Sequence, residues 1–199
     1  MKVLYVHGFL GKSSSSLGNS LKECARSKDI KLSTIKWESG CFPKGRNFVS
    51  HLAREWLDAN INVEKAAHKL LKKSNGQCSV IAFSLGAKVV LEAMKLGLDA
   101  KTVTIVGGAA FDDSRRENYK MYNIYSLNDT VLKAFIFADN FPSSIVHQIF
   151  GSQVVHKTPM GLGKCKPHWI NVDMTEFVGS HLSYGEFADD ILKTCEVGN

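Results

Sequence analysis

Short, dense apolar runs alternate with longer amphipathic stretches along the whole chain. Val3 to Val6 is an unbroken apolar run beginning two residues from the start, and it reads as a buried strand. The glycine-punctuated turn His7-Gly8-Phe9-Leu10-Gly11 follows, and Ser13 to Ser16 offer N-caps to a helix over about Leu17–Ser27. Ile30 to Trp37 alternates and is β-branched, which predicts a second strand; Glu38 to Asn47, carrying Gly40, Pro43 and Gly45, predicts a loop. A long helix is expected from about Phe48 to Lys73, with a break near Asn60 to Asn62, and Ser74-Asn75-Gly76 stops it. Gln77 to Phe83 predicts a third strand and Leu85 to Leu96 a helix ended by Gly97. Thr102 to Val106, Tyr122 to Tyr125 and Trp169 to Val172 predict three more strands, and Tyr184 to Thr194 the closing helix.

Strands that alternate with helices, joined by connections too long for hairpins, give a mostly parallel sheet covered on both faces. The expectation is therefore an α/β fold with about six mostly parallel strands. No repeat, low-complexity tract or linker divides the 199 residues, so one domain over 1–199 is expected. Val131 to Phe150 is dense in Phe, Ile, Leu and Val and reads as a buried core helix in its first half. Together with the irregular Gly151 to Pro167, the alternative is a lid or pocket wall spanning 131–167.

In such a sheet, ligands bind beyond the carboxyl ends of the strands, so candidate chemistry must follow a strand directly. The third strand meets that condition most sharply. Cys78-Ser79-Val80-Ile81-Ala82-Phe83 climbs to Ser84, and Leu85-Gly86-Ala87 turns at once into a helix. A strand that turns this tightly exposes the hydroxyl at its tip and aims the first helix amides at whatever that hydroxyl attacks. Ala82 stands where the usual G-x-S-x-G pattern has glycine. The plain structural reading is a turn with a capping serine.

A serine nucleophile needs a base, normally a histidine oriented by a carboxylate. Of seven histidines, His51 and His68 fall in the long helix and read as surface residues, His147 and His156 lie in an irregular segment, and His168 opens a strand. His7 ends the first strand. His181, in Val178-Gly179-Ser180-His181-Leu182, is the one between the last strand and the last helix, where the base of a Ser…Asp…His order belongs. The acid candidate is Asp129, two strands past the nucleophile strand, with Asp112 and Asp113 as alternatives; a helix cap is the competing role for Asp129. Two backbone amides would complete an oxyanion hole: Leu85, after the serine, and Phe9, in the loop after the first strand.

These pieces resemble the α/β-hydrolase superfamily and, more narrowly, the DUF726 group of serine hydrolases (the transmembrane and coiled-coil domain protein 4-like group). The similarity is carried by Ala82-Phe83-Ser84-Leu85-Gly86-Ala87-Lys88-Val89, by Tyr125-Ser126-Leu127-Asn128-Asp129-Thr130-Val131-Leu132, and by Ile170-Asn171-Val172-Asp173 with Gly179-Ser180-His181-Leu182-Ser183-Tyr184. It implies a minimal α/β-hydrolase fold, with Ser84 as nucleophile, Asp129 as acid and His181 as base. The sequence departs from that group in carrying no membrane segment and lacks the strands that usually precede the His-Gly strand.

Composition changes this picture little. The net charge of +6 is mild and its Lys and Arg are scattered, which argues against a nucleic-acid partner. Five cysteines without C-x-x-C spacing read as reduced thiols. No signal peptide is recognisable, so a cytoplasmic location is expected, with peripheral membrane contact open. Cys41, Cys165 and His168 fit no zinc spacing; neither a metal nor an organic cofactor is expected. Val6-His7-Gly8-Phe9-Leu10-Gly11-Lys12-Ser13 has the placement of a P-loop, but valine stands where its first glycine belongs. The expected activity is hydrolysis of a small-molecule or lipid ester, with thioester or amide cleavage open. The rival is a catalytically silent hydrolase fold that binds or scaffolds.

Overall fold

The computed structural model describes residues 1–11, 16–40, 48–133 and 158–196. Six strands form one sheet: β1 (Lys2–Val6), β2 (Lys31–Ile35), β3 (Cys78–Phe83), β4 (Thr102–Val106), β5 (Lys120–Tyr125) and β6 (Ile170–Asp173). Their order is β2-β1-β3-β4-β5-β6, and every neighbouring pair is parallel. The helices are α1 (Ser16–Ser27), α2 (Phe48–Ile61), α3 (Val63–Leu71), α4 (Gly86–Lys95) and α5 (Ala188–Glu196). The expected break in the long helix falls at Asn62, which separates α2 from α3.

The two-residue period of the strands splits their side chains between two cores. Leu4, Val6, Val80, Ala82, Val103 and Ile105 pack on one face against α2, α3 and α4. Val3, Tyr5, Ile81, Phe83, Val106 and Ile124 pack on the other against α1 and α5. The central strand β3 is buried at every residue, whereas the outer strands β2 and β6 are largely open. That explains why Val80 to Phe83 is a continuous apolar run and Lys31 to Ile35 an alternating one.

The closing helix begins later than its sequence pattern suggests. Ser183–Phe187 is a 3₁₀ turn, and the α-helix starts only at Ala188. Gly185 lies against the start of α1: a Cβ there would come within 3.2 Å of the Ser16 carbonyl carbon and 3.3 Å of the Leu17 nitrogen. The tighter turn drives Tyr184 fully into the core. Of the region 131–167, residues 134–157 lie outside the described residues. The remainder is tied to the sheet. Residues 130–133 are helical, and Met160–Leu162 is a 3₁₀ turn whose Met160 N–H donates to Ala110 C=O at 2.8 Å. Gly161 accepts from the Ser126 N–H at 3.1 Å.

The chain winds from β1 outward to β2, then returns to place β3 on the other side of β1. This reversal opens a crevice at the carboxyl ends of β1 and β3, where His7-Gly8-Phe9 and Ser84 emerge.

Candidate active site

Ser84 follows the last residue of β3 and has φ of +54°, a left-handed conformation that a residue with a side chain adopts only under constraint. The constraint is hydrogen bonding on both sides. Its N–H donates to Val106 C=O at 3.0 Å, and its C=O accepts from Ala87 and Ala109 N–H, both at 3.0 Å. Small neighbours permit the turn. A Cβ on Gly86 would lie 2.5 Å from the Val6 carbonyl oxygen, and one on Gly8 would lie 2.6 Å from the Ser84 Cβ. Alanine suffices at 82 because that residue points into the α4-side core, not into the turn.

Asp129 and His181 come from separate loops, after β5 and after β6, and meet fully inside the protein. His181 Nδ1 and Asp129 Oδ2 are 2.6 Å apart, with exposures of 7% and 0% for the two side chains. A carboxylate only accepts, so Nδ1 is the donor of this contact, and in the neutral imidazole Nε2 is then the free acceptor. Asp129 Oδ1 accepts from the Leu132 N–H at 3.0 Å. The two roles open to this residue in the sequence, helix cap and partner of a histidine, thus fall on its two oxygens. The His181 ring stacks on Phe83, the residue before Ser84, with centroids 4.6 Å apart, and meets Tyr184 edge-on.

Ser84 is largely buried at 9% exposure, and its hydroxyl makes no hydrogen bond among the described residues. No Ser84–His181 hydrogen bond is formed. Such bonds are commonly long without substrate and tighten in the complex. The Leu85 and Phe9 N–H groups make no backbone hydrogen bonds among the described residues, whereas the adjoining Leu10 N–H is committed to Ser39 C=O at 2.9 Å.

His7 has a different part. Its Nδ1 lies 3.1 Å from Gly8 C=O and 3.3 Å from Ser39 Oγ, and its ring stacks on Trp37. Burial, partly opposed by the Gly8 hydrogen bond, lowers its pKa below 6.5 and favours a neutral imidazole that braces the loop. The alternative acids are engaged elsewhere. Asp113 pairs with Lys95 at 2.6 Å. Asp112 binds Ser114 and the Lys166 N–H. Burial raises the Asp112 carboxyl, but those hydrogen bonds outweigh it and leave the group below its ordinary value. His168 Nε2 is 3.0 Å from Ser114 Oγ, so this histidine belongs to a structural knot. Burial pushes the Cys165 thiol up to about 12. His68 is exposed, with Glu64 beside it. Cys41, Lys12, Ser13, His147, His156 and the side chain of His51 lie outside the described residues, and Val6, at the would-be P-loop glycine, is a fully buried strand residue.

Several residues inside the family-like motifs have a part that the motifs do not specify. Ser126 Oγ donates to Val178 C=O at 2.7 Å and accepts from the Asn128 N–H, tying the Asp129 loop to the His181 loop. Tyr125 OH donates to Asp173 Oδ2 at 2.9 Å, and Asp173 Oδ1 in turn accepts from Thr175. Asn171 Oδ1 accepts from the Cys165 N–H at 2.7 Å. Their place in the motifs, at the ends of β5 and β6, is the available signal; their contacts are not readable from it.

A model of the DUF726 family, described as proteins of unknown function, matches residues 56–198. The chain belongs to the DUF726 family. In this DUF726 protein the matched span contains Ser84, Leu85, Asp129 and His181, and Phe9 precedes it. Solved structures resemble it over nearly their full length. One is a protein from Xanthomonas campestris pv. campestris described as a hydrolase of the alpha/beta superfamily: TM-score 0.55, 12% identity, covering 98% of this chain and 96% of that one. The ydeN gene product of B. subtilis matches with TM-score 0.54 and 14% identity, covering 98% of both chains. The catalytic core domain of acetyl xylan esterase from Trichoderma reesei matches with TM-score 0.50 and 11% identity, covering 100% and 98%. No curated protein sequence matches. The DUF726 protein therefore has an α/β-hydrolase fold. Among the described residues, no helix is long and apolar enough to cross a membrane.

Proposed function

We propose that this protein is a serine hydrolase that cleaves carboxylic esters through an acyl-enzyme on Ser84. The observation that carries the reading is the buried 2.6 Å contact between Asp129 and His181, whose ring stacks on Phe83 next to the strained Ser84 turn and, when neutral, has Nε2 as its free acceptor. In this mechanism His181 Nε2 takes the Ser84 proton as Oγ attacks the ester carbonyl. The Leu85 and Phe9 amides stabilise the oxyanion. His181 then protonates the leaving alcohol, activates water against the acyl-enzyme, and returns the proton to Ser84 as the acid departs. Asp129 holds the tautomer and stabilises the imidazolium. The chemistry uses no metal or organic cofactor.

An apolar acyl group suits the surroundings. Leu127 and Val131 flank Asp129 in sequence, Phe177 and Leu182 flank His181, and these large side chains are exposed by 46% to 66%. A lipid ester is one such substrate.

The test is hydrolysis of p-nitrophenyl esters across acyl lengths, wild type beside Ser84→Ala. Turnover that disappears in Ser84→Ala, with an optimum beyond acetate, supports the reading. Turnover that survives in Ser84→Ala rejects the assigned nucleophile. No turnover on any ester, together with no fluorophosphonate labelling of Ser84, rejects the enzyme reading and leaves the fold as a silent binding scaffold.

A further inference from the structure

The proposed oxyanion hole takes its two donors from different parts of the chain. Leu85 sits at the head of α4, and Phe9 in the loop after β1. Something must hold these parts in register, and the side chains between them show what does. The Phe9 ring meets the Trp56 ring edge-to-face, with centroids 5.1 Å apart and planes at 87°. Phe9 is also confined by Gly40, whose φ is +90°; a Cβ there would lie 2.6 Å from Phe9 Cε2. The Lys88 ammonium sits over the Trp56 ring, 5.2 Å from a centroid.

Lys88 is in the first turn of α4, where a cation opposes the helix dipole. Its charge is drawn sideways instead: Nζ donates to Asn60 Oδ1 at 2.9 Å, and Asn60 Nδ2 donates to Trp56 C=O at 2.8 Å. Trp56 is 8% exposed. One indole thus touches the side chain of one oxyanion residue and a side chain one turn beyond the nucleophile.

We propose that Trp56 is a positioning residue that sets the separation of the Phe9 and Leu85 amides. The proposal rests on the serine-hydrolase reading above. Edge-to-face packing fixes distance and angle more tightly than shapeless apolar contact, and displacing a reacting group by about 1 Å can cost on the order of 10²-fold in rate. Because the amides act on the oxyanion, which exists only after attack, Trp56 contributes to kcat and not to substrate affinity.

The experiment compares Trp56→Leu, Trp56→Phe and Lys88→Met with wild type for kcat, KM and affinity for a trifluoromethyl ketone, whose hydrate-like adduct mimics the oxyanion. Trp56→Leu is expected to lose about tenfold to 100-fold in kcat, with KM within about twofold, and to lose ketone affinity in parallel. Trp56→Phe, which keeps a ring edge for Phe9, recovers most of the loss. Lys88→Met, at a half-buried position, shifts kcat and ketone affinity in the same direction by less and serves if Trp56→Leu does not fold. A folded Trp56→Leu with wild-type kcat, a rise in KM alone, or an unfolded Trp56→Leu with an unaltered Lys88→Met overturns the proposal. Wild-type protein that neither turns over esters nor reacts at Ser84 overturns the hydrolase reading itself, a result distinct from active wild type with silent variants.

Discussion

Asp129→Asn separates the two jobs that the structure gives one carboxylate. Oδ1 caps the Leu132 N–H at 3.0 Å, and Oδ2 faces His181 Nδ1 at 2.6 Å. Asparagine has the same shape but only one oxygen. The buried Leu132 N–H needs an acceptor, so the amide oxygen turns to it and the NH₂ faces His181. Nδ1 must then accept, which moves the imidazole proton to Nε2 and removes the base. By the behaviour of serine–histidine–aspartate sites, kcat falls by about 10⁴, equivalent to about 5.5 kcal/mol of barrier. Stability moves little, because the cap survives. Asp129→Ala removes both contacts: kcat falls comparably, and the lost cap plus an unpaired buried N–H cost about 1–3 kcal/mol of folding stability. The assay is ester turnover and urea unfolding of the three proteins. An Asp129→Asn enzyme within tenfold of wild-type kcat would refute the tautomer argument. Equal stabilities of the two variants would refute the cap.

Other perturbations test the rest. Ser84→Gly should unfold at higher urea than Ser84→Ala by about 1 kcal/mol, since only glycine sits at φ +54° without strain; equal midpoints would contradict the backbone argument. His7, held below its ordinary pKa of 6.5 by burial, stays neutral where the unfolded chain binds a proton. Stability should therefore fall as pH drops below 6.5, and His7→Asn should flatten that part of the urea-melt profile. The depressed carboxylates Asp112, Asp173 and Asp189 act separately, losing their contribution only as pH falls below about 3.8. Ser114→Ala leaves the buried Trp169 Nε1, 2.9 Å from Ser114 Oγ, without its acceptor. It should cost about 1–3 kcal/mol in urea melts while leaving ester turnover unchanged, which distinguishes this serine and its histidine neighbour from the proposed site.

Strand positions were legible because the sheet is parallel and buried. Val3 to Val6 and Thr102 to Val106 have both faces covered, so one reads as an unbroken apolar run and the other as a β-branched run. The break at Asn62 was legible for a local reason as well: Asn60 and Asn62 each spend their side-chain amide on the backbone four residues earlier. The late start of α5 was not legible, because the 3₁₀ turn depends on Gly185 meeting α1, a contact between distant parts of the chain. The same division runs through the site. Ser84 and His181 stand out by position after a strand. The double use of Asp129, the Ser126 tie to Val178 and the Trp56 contact with Phe9 are tertiary facts with no local pattern. Asp112 and Asp113 were reasonable acids by placement, and only their contacts with Ser114 and Lys95 separate them from Asp129.

The central claim is that Ser84 is the activated nucleophile. Its most direct test is intact-protein and peptide mass spectrometry after treatment with a fluorophosphonate. The account predicts a single adduct, on the peptide containing Ser84, absent in Ser84→Ala and strongly slowed in His181→Ala. A folded wild-type protein that takes no label, or takes it equally in Ser84→Ala, would contradict it.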